Sequence, residues 1–306
     1  VTKQVIITGD DFGLAEPVND AIEQAYQNGI LTTTSLLIAS SAARDAILRA
    51  HRNPGLRVGL HLALCEGTPV LSAEEIPALV DARGQLWGPI RAALRFFWFF
   101  FSPGARRQLE REVRAQFAAF QGTGLAIDHV NGHNNMQMHP VVLPILARVA
   151  REFGVRAVRV SFEPLLASAR AARLTGMLSD GVFRRPRTSL WLRFVQWCVL
   201  RPWGAYVRWR YRRAGYIVND FLFGMYDCGG MDLDLLVGTI RNLPDGVSEL
   251  HCHPASSRCP ELVLPMPDYQ QQTELAALMS SKAREALVES GVQSLRGFSE
   301  LSATHR

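Results

Sequence analysis

Short apolar, β-rich runs alternate with helix-period segments along nearly the whole chain, and no other feature of the sequence leaves so few folds open. Val5 to Thr8 is an apolar run that ends in Gly9-Asp10-Asp11. Leu14 to Asn28 follows with Val18, Ile22, Ala25 and Tyr26 at helical spacing and Gly29 as a stop. The same reading gives strands over Leu31 to Ala39, Leu56 to Leu64, Ala126 to Val130, Val155 to Ser161, Tyr216 to Phe223 and Val247 to Cys252. Between them lie helices over Ala42 to His51, Arg106 to Gln121, Pro140 to Phe153 and Asp232 to Asn242, and one long helix over Asp268 to Ser290 closes the series. The stretch between Leu64 and Arg106 reads as irregular. Strand–helix alternation implies a parallel sheet, and about seven strands favour an irregular, TIM-like (β/α) barrel, closed or nearly so, over an open doubly wound sheet. The expected organisation is one domain over residues 1–306 with an insertion at about 162–215.

Composition removes several function classes. Hydrophobic residues make up 48% and charged residues 20%, which excludes disorder, collagen and coiled coil as overall descriptions. A formal charge of +5 falls short of the concentrated positive field of a dedicated nucleic-acid binder. Five cysteines without a CxxC pair suit a reducing compartment. The greasiest run, Phe96 to Phe101, lies between Arg95 and Arg106 and is far short of the ~20 residues a spanning helix needs. With no secretory signal visible, a cytoplasmic location is expected.

The insertion is the anomaly. No acidic residue occurs from Gly181 to Asn219, yet nine arginines lie between Arg184 and Arg213, together with Trp191, Trp197, Trp203 and Trp209. Guanidinium groups beside tryptophan suit a lipid headgroup boundary, so peripheral contact with the inner membrane face is one reading. A helical subdomain whose tryptophans fill its own core is the other.

The chemistry gathers at strand ends. In a parallel α/β fold the C-terminal ends of the strands form the ligand face, and Asp10 and Asp11 stand there on the first strand. Adjacent acids point apart, so one can hold a cation while the other serves a water or substrate. His61 stands near the end of the third strand, and Asp128-His129-Val130-Asn131-Gly132-His133 ends the fourth. Asp11, His61 and His133 make a plausible three-ligand site with a position left open, which describes a catalytic ion. Two imidazoles and a carboxylate suit zinc or another first-row ion better than magnesium. Late in the chain, Leu250-His251-Cys252-His253-Pro254 points His253 at the same face, where it can protonate a leaving group while Asp10 takes a proton from water. No nucleophile elbow and no phosphate loop is present, which argues against acyl-enzyme and nucleotide chemistry.

Five motifs carry a resemblance. TGDDFG at 8–13, NGILTTTSLLI at 28–38, VGLHLAL at 58–64, DHVNGHNNMQMHP at 128–140 and ELHCHPA at 249–255 together resemble the YdjC-like carbohydrate deacetylases, which include the chito-oligosaccharide deacetylases. Within that family the chain most resembles the HpnK branch associated with hopanoid biosynthesis. The resemblance implies a barrel related to polysaccharide deacetylases and metal-dependent removal of an N-acetyl group from an amino sugar. It implies Asp11, His61 and His133 as ligands to one Mg2+ or Zn2+ ion, Asp10 as catalytic base and His253 as catalytic histidine. His129, Asn131, Asn134 and His251 are candidate substrate contacts. Asn135 and Gln137 depart from the family's alternating histidines. In the hopanoid branch the substrate is a lipid-linked N-acetylglucosaminyl group, and the insertion becomes a membrane-facing lid. Deacetylation of soluble chito-oligosaccharides, a metal-dependent phosphoester hydrolase and a non-catalytic carbohydrate-binding protein are the competing readings.

Overall fold

Residues 2–173 and 190–301 are described by the structure, a computed structural model. The first half runs β1 (Lys3–Phe12), α1 (Glu16–Asn28), β2 (Thr33–Leu36), α2 (Ala43–Arg52), β3 (Arg57–Leu62), α3 (Pro89–Trp98), α4 (Pro103–Gln121) and β4 (Ile127–Gly132). A 3-10 turn over His133–Met138 leads into α5 (Val142–Glu152), α6 (Leu165–Arg173) and α7 (Leu190–Arg213). The remainder is β5 (Phe221–Phe223), α8 (Leu233–Arg241), β6 (Gly246–Cys252), α9 (Pro260–Val263), α10 (Gln271–Met279), α11 (Ser281–Glu289), β7 (Gln293–Leu295) and a last 3-10 turn over Phe298–Glu300.

All the strand ladders are parallel, in the order β4-β3-β2-β1-β6-β5, with β7 beside the N-terminal part of β1. The sheet curls into a half-barrel and does not close as an expected TIM-like barrel would. The cause lies in the region expected to be the fifth strand. Val155 to Ser161 forms only isolated bridges, Val130 to Val158 and Ala157 to Ile217, and of the expected strand Tyr216 to Phe223 only Phe221–Phe223 pairs as a ladder. At Val160 a side chain stands in for the ladder: Asn219 accepts from the Val160 N–H and donates to the Val160 carbonyl.

Helix faces follow the apolar period. Val18, Ile22 and Ala25 of α1 and Leu109, Val113, Phe117 and Phe120 of α4 are all buried, each large side chain stabilising the fold by about 1.5–3 kcal/mol. The long helix expected over Asp268 to Ser290 is two helices. Ser280 takes an extended conformation (φ −68°, ψ 137°) and accepts a hydrogen bond from the Lys282 N–H, so it ends α10 and caps α11. The stretch read as irregular contains α3, with Ala92 and Phe96 inward and Leu94 and Trp98 exposed, as is Phe101 just beyond it. Residues 174–189 of the insertion, with Arg184, Arg185 and Arg187, lie outside the described residues. Its helix α7 docks through Trp203, Val207 and Tyr211, one turn apart, with the Trp203 indole donating to the Met138 carbonyl and the Tyr211 hydroxyl to the Gln137 carbonyl. Among the described residues no helix is long and apolar enough to cross a membrane. A small second core of Ile6, Ala157, Val247, Leu295, Phe298 and Leu301 lies at the N-terminal end of the strands, away from the ligand face.

Candidate metal centre and active site

The two adjacent acids of β1 reach one cleft because the strand breaks its own alternation. The β1–β2 register shifts between Gly9 and Phe12, and Asp11 sits at φ 64° in the left-handed region. Aspartate tolerates that conformation better than most residues, at a cost of about 1–2 kcal/mol. Asp10 and Asp11 therefore both line a cleft of about 410 Å3 at the C-terminal ends of the strands. His61 enters from the end of β3, paired in register with Asn131 of β4. His133 follows β4 directly, and Asn134 and Asn135 after it are both left-handed (φ 51° and 58°), which turns the chain sharply at the cleft edge.

Three atoms then form a nearly equilateral triangle. Asp11 Oδ1 lies 3.3 Å from His61 Nε2 and 3.2 Å from His133 Nδ1, and the two imidazole nitrogens are 3.3 Å apart. Ligands at ~2.0–2.1 Å in tetrahedral array stand roughly 3.3 Å from one another, so the triangle has the size of a divalent-ion seat. Asp11 Oδ1 is buried and accepts no directed hydrogen bond, which leaves its lone pairs for an ion. Both imidazoles are oriented from behind. Asp10 can only accept, so the Asn131 amide turns its NH2 to Asp10 (3.2 Å) and its oxygen to His61, which donates through Nδ1–H (2.8 Å). His133 Nε2 faces Glu66 at 3.3 Å. Such partners fix the ring and free the other nitrogen for a cation. Burial alone would lower the His133 pKa, but the carboxylates of Asp11 and Glu66 outweigh it and raise it to about 10.

Asp10 is held differently. Arg159 grips both of its oxygens (2.5 and 3.0 Å) and also reaches Glu249 at 2.6 Å, while the Ser35 hydroxyl donates to Asp10 at 2.8 Å. Burial would raise the Asp10 pKa, but the Arg159 charge, aided by His61, outweighs it and holds the carboxyl well below the usual range. Asp10 therefore rests as a carboxylate, pinned beside the triangle.

The adjoining wall comes from the C-terminal half, where β6 pairs directly with β1 and sets Thr8 against His251 and Gly9 against Cys252. His251 and His253 stand at the end of β6 with ring centroids 5.3 Å apart. His251 donates through Nδ1–H to the Phe223 carbonyl at 2.8 Å. The His253 backbone N–H donates to Glu274, which also accepts from the Met231 N–H. Cys228 brings its Sγ to 3.8 Å from His253 Nδ1 and 2.9 Å from the Tyr269 hydroxyl. Burial would raise this thiol, but the imidazoles of His253 and His251 hold it well below its ordinary value.

Eight of the nine residues singled out in the sequence gather at or directly behind this cleft. Asp10, Asp11, His61, His133, Asn134, His251 and His253 line it, and Asn131 lies behind as the link between Asp10 and His61. His129 does not reach it: it is fully buried, stacks on Phe298 at 4.8 Å and pairs with Asp128. Gln137 is buried and donates to Ser161, whose hydroxyl donates to Asn135, so the two departures from histidine tie the turn to the segment that carries Arg159. Sequence reasoning missed Arg159, Glu249, Cys228 and Glu66. The first two had a signal, a charge at an interior position of an apolar run; the other two had none.

The chain is similar to other proteins in sequence and in fold. A carbohydrate deacetylase of Vibrio parahaemolyticus is 26% identical over 98% of this chain and 97% of its own. Another, of Brevibacillus brevis, is 32% identical over 50% of this chain and 57% of its own, so that match spans little more than half of the relative. A crystal structure from Enterococcus faecalis V583, of a protein provisionally assigned to cellobiose-phosphate cleavage, superposes with a TM-score of 0.73 over 99% of this chain and 100% of that one, at 21% identity, and shows the fold alone. The YdjC-like protein family matches residues 4–289, from the first strand through the last helix and across both walls of the cleft, and the chain belongs to that family.

Proposed function

We propose that this protein is a metal-dependent carbohydrate deacetylase that removes the N-acetyl group from an N-acetylglucosaminyl substrate. The observation that carries the proposal is the convergence in one cleft of a cation-sized ligand triangle with a pinned carboxylate and a strand-end imidazole. The names of the Vibrio and Brevibacillus relatives support it. Asp11, His61 and His133 hold one divalent ion, and their two nitrogens and one oxygen favour zinc over magnesium. Such an ion supplies Lewis acidity toward the acetyl oxygen and lowers the pKa of water beside it.

The remaining steps belong to side chains. Asp10, kept ionised by Arg159, orients the attacking water and takes its proton. As the amide C–N bond breaks, His253 gives a proton to the departing amine, and acetate and the free amino sugar remain. Asn131 holds Asp10 and His61 in register, while Asn134 and His251 contact the sugar. The test is incubation with N-acetylglucosaminyl lipids and chito-oligosaccharides, with and without chelator, scored by a mass loss of one acetyl group. Retention of the acetyl group on every substrate sinks the proposal.

A lipid-linked, hopanoid-type acceptor is the finer reading. Exposed aromatics support it: Trp98 and Phe101 on α3 and just beyond it, a helix whose first residue Pro89 lines the cleft, and Trp191 and Trp209 on α7. Aromatic rings beside arginines suit a headgroup boundary. Anionic vesicles should pull down the intact chain and release a variant with these four aromatics changed to serine; equal binding by both overturns this reading.

A further inference from the structure

Three ligand atoms beside the proposed ion seat, on and around the end of the neighbouring strand β6, have no role as a set in the proposed reaction. Cys228, His251 and His253 each offer one, and the three lie within 4.8 Å of one another. The Cys228 Sγ to His253 Nδ1 separation is 3.8 Å, against roughly 3.6 Å for a thiolate at ~2.3 Å and an imidazole at ~2.05 Å on one tetrahedral ion. The His251 ring is already oriented for ligation, because its Nδ1–H is engaged by the Phe223 carbonyl and Nε2 therefore presents a lone pair. The His253 main chain is fixed by Glu274, and that carboxylate also holds the Met231 N–H at the end of the loop that carries Cys228. Two further buried groups hold the loop from behind. Glu163 accepts from the Met225 and Tyr226 N–H groups, and Arg193 pairs with Asp227. All three side chains line the cleft, so a fourth position faces solvent or substrate.

We infer that Cys228, His251 and His253 form a second cation site, selective for a thiophilic divalent ion such as zinc and distinct from the Asp11, His61 and His133 seat. Binding releases to solvent the proton that Cys228 and His253 share and forms a sulfur–metal and a nitrogen–metal bond. Sulfur sets the two sites apart, because thiolate selects zinc-like ions strongly while the carboxylate seat also accepts harder ones. The site itself is independent of the proposed deacetylase activity. One consequence rests on that activity: an ion here occupies His253 and removes the proton donor, so excess zinc inhibits.

The test is titration of the full-length, chelator-stripped protein with cobalt(II) alone. A thiolate-to-cobalt charge-transfer band in the near ultraviolet is expected, with a second equivalent of metal retained on equilibrium dialysis. Cys228→Ser should lose the band and that second equivalent, and Asp11→Asn should lose the other equivalent and keep the band. No band in the intact chain overturns the site, as does a band that persists in Cys228→Ser, since it would belong to another cysteine. The intact chain gives the first answer without any variant, so a misfolded substitution does not rescue the idea. A band with no loss of acetate release at excess zinc leaves the site standing and overturns the role given to His253.

Discussion

The two walls of the cleft solve the same problem with different chemistry. On the N-terminal wall, a carboxylate and two imidazoles close to within 3.3 Å of one another, and each ring is steered by a side chain, Asn131 or Glu66. On the C-terminal wall, a thiol and two imidazoles, with Cys228 Sγ 3.8 Å from His253 Nδ1, are steered mainly through backbone groups. Buried acids pin the loops of both. Glu112 accepts from the Val70 and Leu71 N–H groups below the Glu66 loop, while Glu163 and Glu274 do the same below the Cys228 loop. The carboxylate of one triangle admits harder ions, whereas the thiolate of the other selects softer ones beside the proton donor.

That contrast can be broken most severely from the N-terminal wall. Asp11→Asn should abolish retained divalent metal at the first seat and acetate release with it, as read by metal analysis after dialysis and by acetate assay; full activity with stoichiometric metal would remove Asp11 from the ligand set. Asp10→Asn should leave the metal in place and lower kcat by about 10²–10⁴-fold, the usual contribution of a general base. Arg159→Met strips the countercharge from buried Asp10 and Glu249 and should cost about 3–5 kcal/mol of stability in denaturant unfolding. Asn131→Leu removes the acceptor behind His61, and metal affinity should fall by about 10–100-fold while the C-terminal wall keeps its cobalt band.

The smallest expected effect sharpens the other side. Burial raises the Glu163 pKa from 4.5 to about 7, against the hydroxyl and backbone donors that surround it. Between these values the folded protein keeps a proton that the unfolded chain has lost. Stability should therefore fall as pH rises through that window, by at most roughly 1.4 kcal/mol per pH unit, and level off above it. Glu163→Gln should flatten the slope, measured by unfolding at about pH 5 and about pH 7; an unchanged slope assigns the titration elsewhere.

Much of the N-terminal wall was legible in the sequence, because its residues sit at the ends of apolar runs that any parallel sheet gathers on one face. Asp11, His61 and His133 converge as expected from that rule. His129 shows its limit: it shares the interior face of β4 with Asn131, but two residues nearer the N-terminal end, where it meets Phe298 rather than the cleft. The C-terminal wall was half legible. His251 and His253 mark a strand end, but Cys228 lies in a loop whose path depends on Glu163, Glu274 and Asp227, of which the first two are distant in sequence.

The amino-acid order alone set which faces of the helices turn inward and which strand ends carry acids and imidazoles, since periodicity and strand polarity act locally. Folding in three dimensions decided the rest: the left-handed turn at Asp11 that brings two neighbouring acids to one side, the half-barrel left open where Asn219 takes the ladder's place, and the grip of Arg159 on Asp10. The last pair is separated by 149 positions. Such contacts depend on the register of strands that pair only after the chain has collapsed, and no local pattern encodes it.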